Sequence, residues 1–248
     1  MQSPWVVTPR RNLNAKLKLI CIPYAGGGAA VYKPWEDKLN ADVELHIVQL
    51  PGRGAHYSQD PIDNMPELID ALFPQIKQLL TQDYVIFGHS LGTRIGYELV
   101  KRALQNNLAA PLHFFSSGSG SPKGKTIKKQ TYLLSNEEFI AELKSMNGTP
   151  KQVLENEELM AFLLPTLRAD FKIADQYSCI NNIRLPCHGS IISGKDDPIE
   201  EEYINDWQAF FTQSKRYELE GDHFFINSHQ ADVIEIVNKQ LSSIIYKI

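Results

Sequence analysis

A serine flanked by glycines is the first candidate for chemistry in this chain. Ser90 lies in Gly88-His89-Ser90-Leu91-Gly92, after a short apolar run with strand character and before a stretch whose apolar spacing indicates a helix. A strand, a Gly-x-Ser-x-Gly turn and a helix make a sharp turn that lifts the serine hydroxyl above the sheet edge. Side chains larger than hydrogen at positions 88 and 92 would collide with neighbouring backbone. We therefore predict that Ser90 is a nucleophile at a helix N-terminus, where backbone N–H groups favour negative charge.

A serine hydroxyl needs a base that takes its proton, and this base is usually a histidine oriented by a carboxylate. Of the seven histidines, His223 follows the last predicted strand and precedes the final helix, where the base is expected. His89 adjoins the serine, but the turn should point adjacent side chains away from each other. His46, His113 and His188 lie in strand patterns and are expected to be packed or surface residues.

Two adjacent carboxylates compete for the role of the acid. Asp196 and Asp197 follow the predicted strand that ends near Gly194. The Gly-x-x-Asp spacing favours Asp197, although Asp196 stays open as an alternative. Asp222 precedes His223 directly, and neighbours in a tight loop rarely face each other, so we expect it to cap or to be solvated.

Two backbone N–H donors are needed for the oxyanion that forms during acyl transfer. One is predicted at Leu91, the residue after the serine. The other is predicted at Ala25, in the loop after the first long strand, where Gly26 and Gly27 would let the backbone approach an acyl carbonyl. A dinucleotide-binding loop is the competing interpretation, but the third glycine of that motif would fall on Val31.

The composition excludes several classes of function. The chain has 248 residues and a formal net charge of −4, so it has no general attraction to nucleic acid. No apolar run approaches the roughly 20 residues that a membrane span needs, and the polar N-terminus shows no secretory signal. The three cysteines lack metal-ligand spacing. We expect buried reduced thiols in a cytoplasmic protein with no metal and no cofactor.

Strand and helix patterns alternate along most of the chain. This alternation predicts an α/β fold with a mostly parallel sheet covered on both faces. The predicted strands are residues 17–23, 43–50, 84–87, 112–116, 187–193 and 216–219, and the predicted helices are 31–39, 65–80, 93–104, 200–211 and 229–246.

The alternation stops between Ser135 and Tyr177. This stretch is helical throughout, begins with a capping-box pattern at Ser135, and contains breaks at Gly148-Thr149-Pro150 and at Pro165. Because it separates two strand patterns without adding a strand, we predict a helical lid inserted into the sheet fold at about 135–177.

Six motifs in a fixed order resemble one known family over most of the chain. The resemblance is to the type II thioesterases that accompany nonribosomal peptide and polyketide synthases. It implies an α/β-hydrolase fold in which residues 1–248 form one domain, and we expect a monomer. The motifs are Pro23-Tyr24-Ala25-Gly26-Gly27, Leu50-Pro51-Gly52-Arg53-Gly54, Gly88-His89-Ser90-Leu91-Gly92, Leu164-Pro165-Thr166-Leu167-Arg168-Ala169-Asp170-Phe171, Gly194-Lys195-Asp196-Asp197-Pro198 and Gly221-Asp222-His223-Phe224.

The resemblance also implies an activity. Such enzymes remove unwanted acyl groups from the phosphopantetheine arm of carrier domains, through an acyl-enzyme and without a cofactor. By matching motifs, Ser90, Asp197 and His223 would be the catalytic triad, with Ala25 and Leu91 as oxyanion donors. Thr93 replaces the alanine or glycine frequent in the family, and we expect it to alter only packing beneath the turn.

The arm must pass between the lid and two glycine-containing loops. We therefore predict substrate contacts at Tyr24, Gly26, Gly27 and Arg53, and at Arg168 in the lid. An ion pair involving Arg168 and Asp170 that anchors the lid to the body is the alternative for those two residues.

Two further features admit two interpretations each. The apolar lid residues either line an acyl chamber or only pack the helices together: Phe139, Met146, Leu154, Phe162, Leu163 and Leu167. The basic run either docks an acidic carrier or is a solvated loop: Lys123, Lys125, Lys128 and Lys129. A small-ester carboxylesterase and an inactive binding module remain the alternative functions.

Overall fold

A seven-stranded sheet forms the centre of the computed structural model, which describes residues 3–123, 130–179 and 181–248. The strand order is β1-β3-β2-β4-β5-β6-β7. β1 pairs antiparallel with β3, and the other pairs are parallel. The strands are β1 Val6–Val7, β2 Leu17–Ile22, β3 Val43–Val48, β4 Tyr84–His89, β5 His113–Ser117, β6 Leu185–Gly194 and β7 Phe211–Leu219.

Two apolar layers cover the two faces of the sheet. Alternate residues of β4 and β5 point to opposite sides, so Ile86 and Phe114 join one cluster while Phe87 and Phe115 join the other. Every residue of β3, β4 and β5 is buried. Burial on both sides is what a parallel sheet requires, and the predicted α/β fold is confirmed.

Helices pack on both faces and at the carboxyl edge of the sheet. We refer to α3, α4 and α5, which lie between β5 and β6, as the lid helices. The bounds are α1 Met65–Ile76, α2 Leu91–Gln105, α3 Asn136–Ser145, α4 Lys151–Leu154, α5 Glu157–Gln176, α6 Glu201–Asn205, α7 Phe225–Ser228 and α8 Gln230–Ile245. No helix in the described part of the chain is both long enough and apolar enough to cross a bilayer.

The first lid helix, α3, begins at the capping-box pattern found in the sequence. The Ser135 hydroxyl accepts the N–H of Glu138 at 3.2 Å, and the Glu138 carboxylate accepts the N–H of Ser135 at 3.0 Å. The predicted capping box is therefore confirmed. The predicted break at Pro165 is wrong, because α5 continues through it. Burial of Leu164 and Leu167 against α3 favours the continuous helix despite the missing N–H of the proline.

Three other elements differ from the sequence expectation. The helix expected at 31–39 is two short 3-10 helices, Ala29–Val31 and Lys33–Lys38, and the helix expected at 200–211 ends as α6 before a 3-10 turn at Asp206–Phe210. β7 begins at Phe211 rather than near Arg216. It is an edge strand with mostly exposed side chains, so its polar sequence carries little strand pattern.

Candidate active site

Ser90 occupies a strained turn between β4 and α2. Its φ of 53° lies in the left-handed region, which a non-glycine residue adopts at a cost. A β-carbon at Gly88 would lie 2.4 Å from Thr93 Cα, and one at Gly92 would lie 2.0 Å from the Ile22 carbonyl oxygen. The predicted need for glycine at both positions is confirmed. The turn therefore holds the Ser90 hydroxyl above the ends of the strands.

The structure brings the three predicted chemical groups into one chain of contacts. His223 Nε2 lies 2.9 Å from Ser90 Oγ, and His223 Nδ1 lies 2.9 Å from Asp197 Oδ2. The Asp197 side chain is 0% exposed, and its other oxygen accepts the N–H of Ile199 at 3.2 Å. A carboxylate so placed fixes the histidine tautomer with Nε2 facing the serine.

The two neighbouring carboxylates have other surroundings. Asp196 is exposed, and its backbone N–H donates to the Gly221 carbonyl at 3.0 Å. This bond ties residues 194–198, which we call the acid turn, to residues 221–224, which we call the histidine loop. Asp222 Oδ1 accepts the N–H of Phe224 at 2.8 Å, so Asp222 caps the turn rather than facing His223.

The two residues predicted as oxyanion donors are Ala25, in the loop after β2, and Leu91, the first residue of α2. Among the hydrogen bonds of residues 3–123, 130–179 and 181–248, none within the protein uses the N–H of Ala25 or Leu91. By contrast, the N–H of Gly26 donates to Asp170 Oδ2 at 2.7 Å, and that of Gly27 donates to the Tyr24 carbonyl at 2.8 Å. The Ala25 loop is therefore held by its neighbours.

A buried ion pair joins α5 to the two glycine loops, residues 26–28 and residues 51–54. Arg53 Nη1 and Nη2 lie 2.6 Å and 2.8 Å from the two oxygens of Asp170, and Nη1 also donates to the Gly27 carbonyl at 3.0 Å. Both side chains are almost fully buried. The Arg53 guanidinium is thus occupied by protein groups, which supports a structural role for it in place of the predicted substrate contact.

A thioesterase-domain sequence model matches residues 17–241. The chain belongs to the thioesterase family. The gramicidin S biosynthesis protein GrsT of Aneurinibacillus migulanus is 36% identical over 242 residues, which are 96% of this chain and 93% of GrsT. The resemblance drawn from the six sequence motifs is confirmed, and the enzyme is a hydrolase of thioesters.

Solved structures agree with this thioesterase in fold. RedJ, a thioesterase of prodiginine biosynthesis in Streptomyces coelicolor, superposes with a TM-score of 0.85 at 30% identity, covering 91% of this chain and 90% of RedJ. BorB, a type II thioesterase from the borrelidin biosynthetic cluster, gives a TM-score of 0.89 at 28% identity, covering 97% of this chain and 99% of BorB.

Arg168 of the thioesterase does not reach the glycine loops. Its guanidinium donates to the Tyr132 carbonyl at 2.7 Å and to Asn136 Oδ1 at 2.8 Å, and it lies 4.7 Å from the centre of the Phe139 ring. These contacts are to α3 and to the 3-10 turn Thr131–Leu133 that precedes it. The ion pair that anchors the lid to the body is therefore formed by Asp170 with Arg53. Arg168 instead braces α5 against α3. These contacts of Arg168 do not support its predicted role in substrate binding.

Two residues of the lid contact the site: Leu167 of α5, and Gly148 between α3 and α4. Leu167 packs against Gly26 so closely that a β-carbon there would lie 2.5 Å from Leu167 Cδ2, and Gly148 lies directly against the Phe224 ring. Phe139 is buried within the lid cluster, whereas Phe162 is 54% exposed. Among the six apolar residues considered for an acyl chamber, Leu167 thus adjoins Gly26 of the oxyanion loop.

Tyr24 lies between the loop that carries Ala25 and the histidine loop. Its ring makes edge contacts with His89 at 5.7 Å and Phe224 at 5.1 Å between ring centres, and its hydroxyl accepts from Asn227 Nδ2 at 3.2 Å. Burial raises the pKa of the Tyr24 hydroxyl, which stays neutral. Tyr24 is therefore placed to form one wall of the site.

Two buried polar residues beneath the turn, Thr93 and His89, make hydrogen bonds that the sequence does not predict. Thr93 Oγ1 donates to the Gly88 carbonyl at 2.7 Å and lies 3.2 Å from the Ser117 carbonyl, so it braces the strand ends. The His89 ring is fully buried and contacts the main chain of His223. The motif placed His89 beside Ser90, but no local pattern indicated a partner 134 residues away.

The remaining sequence predictions concern cysteines and lysines. Cys21, Cys179 and Cys187 are buried and form no disulfide. Within the described ranges, no group of three or more His, Cys, Asp or Glu residues could hold a metal ion. Lys123 Nζ pairs with Asp206 at 3.1 Å. Lys125, Lys128 and Lys129, for which a docking role and a solvated loop are both considered, lie outside the described residues.

Proposed function

We propose that this thioesterase hydrolyses acyl thioesters on the phosphopantetheine arm of carrier domains, with Ser90 as nucleophile, His223 as base and Asp197 as orienting acid. One observation carries the proposal: the unbroken Ser90–His223–Asp197 contact chain, with two contacts of 2.9 Å, in a chain of the thioesterase family. The relatives of borrelidin and prodiginine biosynthesis support a carrier-bound substrate.

In the acylation half-reaction, Ser90 Oγ attacks the thioester carbonyl carbon while His223 Nε2 takes the hydroxyl proton. The carbonyl oxygen becomes an oxyanion that the N–H groups of Ala25 and Leu91 stabilise. When the carbon–sulfur bond breaks, His223 returns the proton to sulfur. The products are an acyl-Ser90 ester and a free phosphopantetheine thiol.

In the deacylation half-reaction, His223 takes a proton from water, and the resulting hydroxide attacks the acyl-Ser90 carbonyl. The Ser90 oxygen leaves with the proton held by His223, which releases a carboxylic acid and restores the enzyme. The His223 side chain is 24% exposed, so water can reach the imidazole. In both half-reactions Asp197 orients His223 and stabilises the imidazolium that forms.

The predicted substrate path lies between the lid helices and the glycine loops. Tyr24, Gly26 and Gly27 are the candidates for contact with the arm. Arg53 and Asp170 act beneath this path by fixing the loops in place. The protein partner is a carrier domain bearing phosphopantetheine. We keep the expectations of a monomer in the cytoplasm and of a single α/β-hydrolase domain over 1–248. For Lys125, Lys128 and Lys129, docking of an acidic carrier and a solvated loop both stay open.

A substrate comparison tests the proposal. The same acyl group is presented on a carrier domain, on coenzyme A and as a p-nitrophenyl ester, and kcat/KM is measured for each. We expect the carrier to exceed coenzyme A by about tenfold or more, because docking raises the effective concentration of the arm. Equal values for carrier and coenzyme A contradict the carrier proposal, and a preference for the ester favours a carboxylesterase.

A further inference from the structure

The residue before the nucleophile reaches the main chain of the base. His89 Nε2 lies 2.9 Å from the backbone carbonyl oxygen of His223. His89 Nδ1 lies 2.9 Å from Ser117 Oγ at the end of β5. The imidazole is 0% exposed, so both contacts are shielded from solvent.

The chemistry of these partners fixes the protonation of His89. A carbonyl oxygen only accepts, so Nε2 carries a proton and donates it to His223. Burial lowers the pKa of His89 well below its ordinary value, and the nearby His223 ring lowers it further, while the bond to the carbonyl opposes both effects. The ring is therefore neutral, and Nδ1 accepts the hydroxyl proton of Ser117.

The ring position is fixed as firmly as its protonation. Gly118 has a φ of +53°, and a β-carbon there would lie 2.6 Å from His89 Cε1. The rings of Tyr24 and Phe225 pack edge-on, with centres 5.7 Å and 5.2 Å from that of His89. These contacts leave the imidazole no room to rotate away from His223.

We propose that His89 is a positioning residue that ties the main chain of the base to the turn carrying the nucleophile. The inference rests on the proposed triad. His89 is covalently joined to Ser90, so its bond to the His223 carbonyl closes a short loop around the contact between Ser90 Oγ and His223 Nε2. The main-chain bond of Asp196 to Gly221 joins this loop to the acid turn, and that of Phe224 to Asp222 joins the loop to itself. A longer contact of 3.4 Å, from Asn147 Nδ2 to Asp222 Oδ2, joins it to the lid.

The expected effect follows from the geometry of proton transfer. Without the Nε2–H donor, the His223 loop can shift relative to Ser90 while the substrate-binding surfaces stay unchanged. A displacement of about 1 Å at a reacting group can cost on the order of a hundredfold in rate. The loss should therefore fall on kcat, with KM preserved.

A set of four variants tests the inference. His89→Phe keeps a planar ring and removes the donor, and His89→Gln keeps an amide N–H near the Nε2 position. Ser117→Ala keeps the ring and removes its Nδ1 partner. His113→Phe is the matched control, because His113 is also a buried strand histidine bonded to a serine, with Nε2 2.8 Å from Ser190 Oγ.

Two rates are measured for each variant, together with Tm: thioester hydrolysis, and sulfonylation of Ser90 by phenylmethanesulfonyl fluoride. We expect His89→Phe to lower kcat and the sulfonylation rate by about tenfold to a hundredfold, with KM within about twofold. His89→Gln should recover at least about fivefold of this loss, and Ser117→Ala should lose about threefold to tenfold. His113→Phe should keep both rates despite a comparable loss of Tm.

Two results would overturn the inference. Equal losses of rate in His89→Phe and His113→Phe would show a general effect of stability, and a His89→Gln variant no faster than His89→Phe would show that the donor is not used. Sulfonylation is independent of the natural substrate. An enzyme that reacts at Ser90 but leaves carrier thioesters intact would therefore contradict the proposed function alone, while the variants still test His89.

Discussion

Asp196 and Asp197, which follow β6, differ in burial and in the groups they contact. Asp197 is buried against His223 and Ile199, whereas Asp196 is exposed and contributes its backbone N–H to the histidine loop. Orientation of the imidazole requires a carboxylate at one defined position. The turn therefore assigns the role of acid to Asp197 in the proposed triad.

Substitution of the two aspartates tests this assignment. Asp197→Asn should lower kcat by about a thousandfold or more, because the amide favours the wrong tautomer of His223. Asp196→Asn keeps the backbone bond to Gly221 and should stay within about threefold of wild type. Steady-state kinetics of both variants gives the comparison, and the opposite ranking would move the acid to Asp196.

The Arg53–Asp170 pair supports the oxyanion loop from the lid side. Asp170→Asn leaves the Arg53 guanidinium buried without its counter-charge, which should lower the free energy of unfolding by about 3 kcal/mol. Lys172→Gln is the control on the same helix. The side chains of Lys172 and its partner Asp63 are 34% and 44% exposed, and such solvent-accessible pairs are worth about 1 kcal/mol or less. Urea unfolding measures the free energy of unfolding of both variants. An equal decrease in the two would contradict a stabilising role for the buried Arg53–Asp170 pair.

Much of the site could be predicted from local sequence. Ser90 lies in a motif whose glycines have a steric reason, and His223 follows the last strand in the order that the sheet imposes. The roles of Arg53 and His89 could not be predicted in the same way. Their partners Asp170 and His223 lie 117 and 134 residues away, and only the packed fold brings them together.

The helices and strands that could be predicted from the sequence are those whose apolar residues recur with one clear helical or strand period. α2 and β4 carry strong apolar patterns, and their bounds agree with the sequence analysis to within a few residues. The sequence predicts too short a β7, because an exposed edge strand lacks an apolar period. It also predicts a break at Pro165, because the local rule for proline ignores the packing that holds α5 together.

The lid helices should not exchange as one unit. Asp170 and Thr166 join the second half of α5 to the glycine loops, since Thr166 Oγ1 also donates to the Gly52 carbonyl at 2.8 Å. We expect faster hydrogen exchange in α3 and α4 than in β4, with the second half of α5 closer to the sheet. Mass-spectrometric exchange measures this, and protection in α3 equal to that in β4 would indicate a rigid wall.

Buried histidines link the stability of the whole molecule to pH. Burial lowers the pKa of His113 from 6.5 to about 4, and the neighbouring His188 adds to the effect. The unfolded chain therefore binds a proton more readily than the folded one below pH 6.5. This contribution to stability is fully present above that pH and is lost progressively as the pH falls toward 4.

His113→Phe isolates this contribution. The free energy of unfolding of wild type should fall more steeply than that of the variant between about pH 6.5 and about pH 4, with a difference approaching about 3 kcal/mol at the acidic end. Urea unfolding at several pH values gives both curves. Parallel curves would mean that His113 titrates alike in the folded and unfolded states.

The central claim is that Ser90 carries the acyl group from a carrier domain to water. Its most direct test is the discharge of an acetyl-loaded carrier domain by wild type and by Ser90→Ala, followed through the intact mass of the carrier. We expect the variant to lose about a thousandfold or more in kcat/KM with an unchanged Tm. Retention of more than about a tenth of the wild-type rate by a folded Ser90→Ala enzyme would contradict the claim.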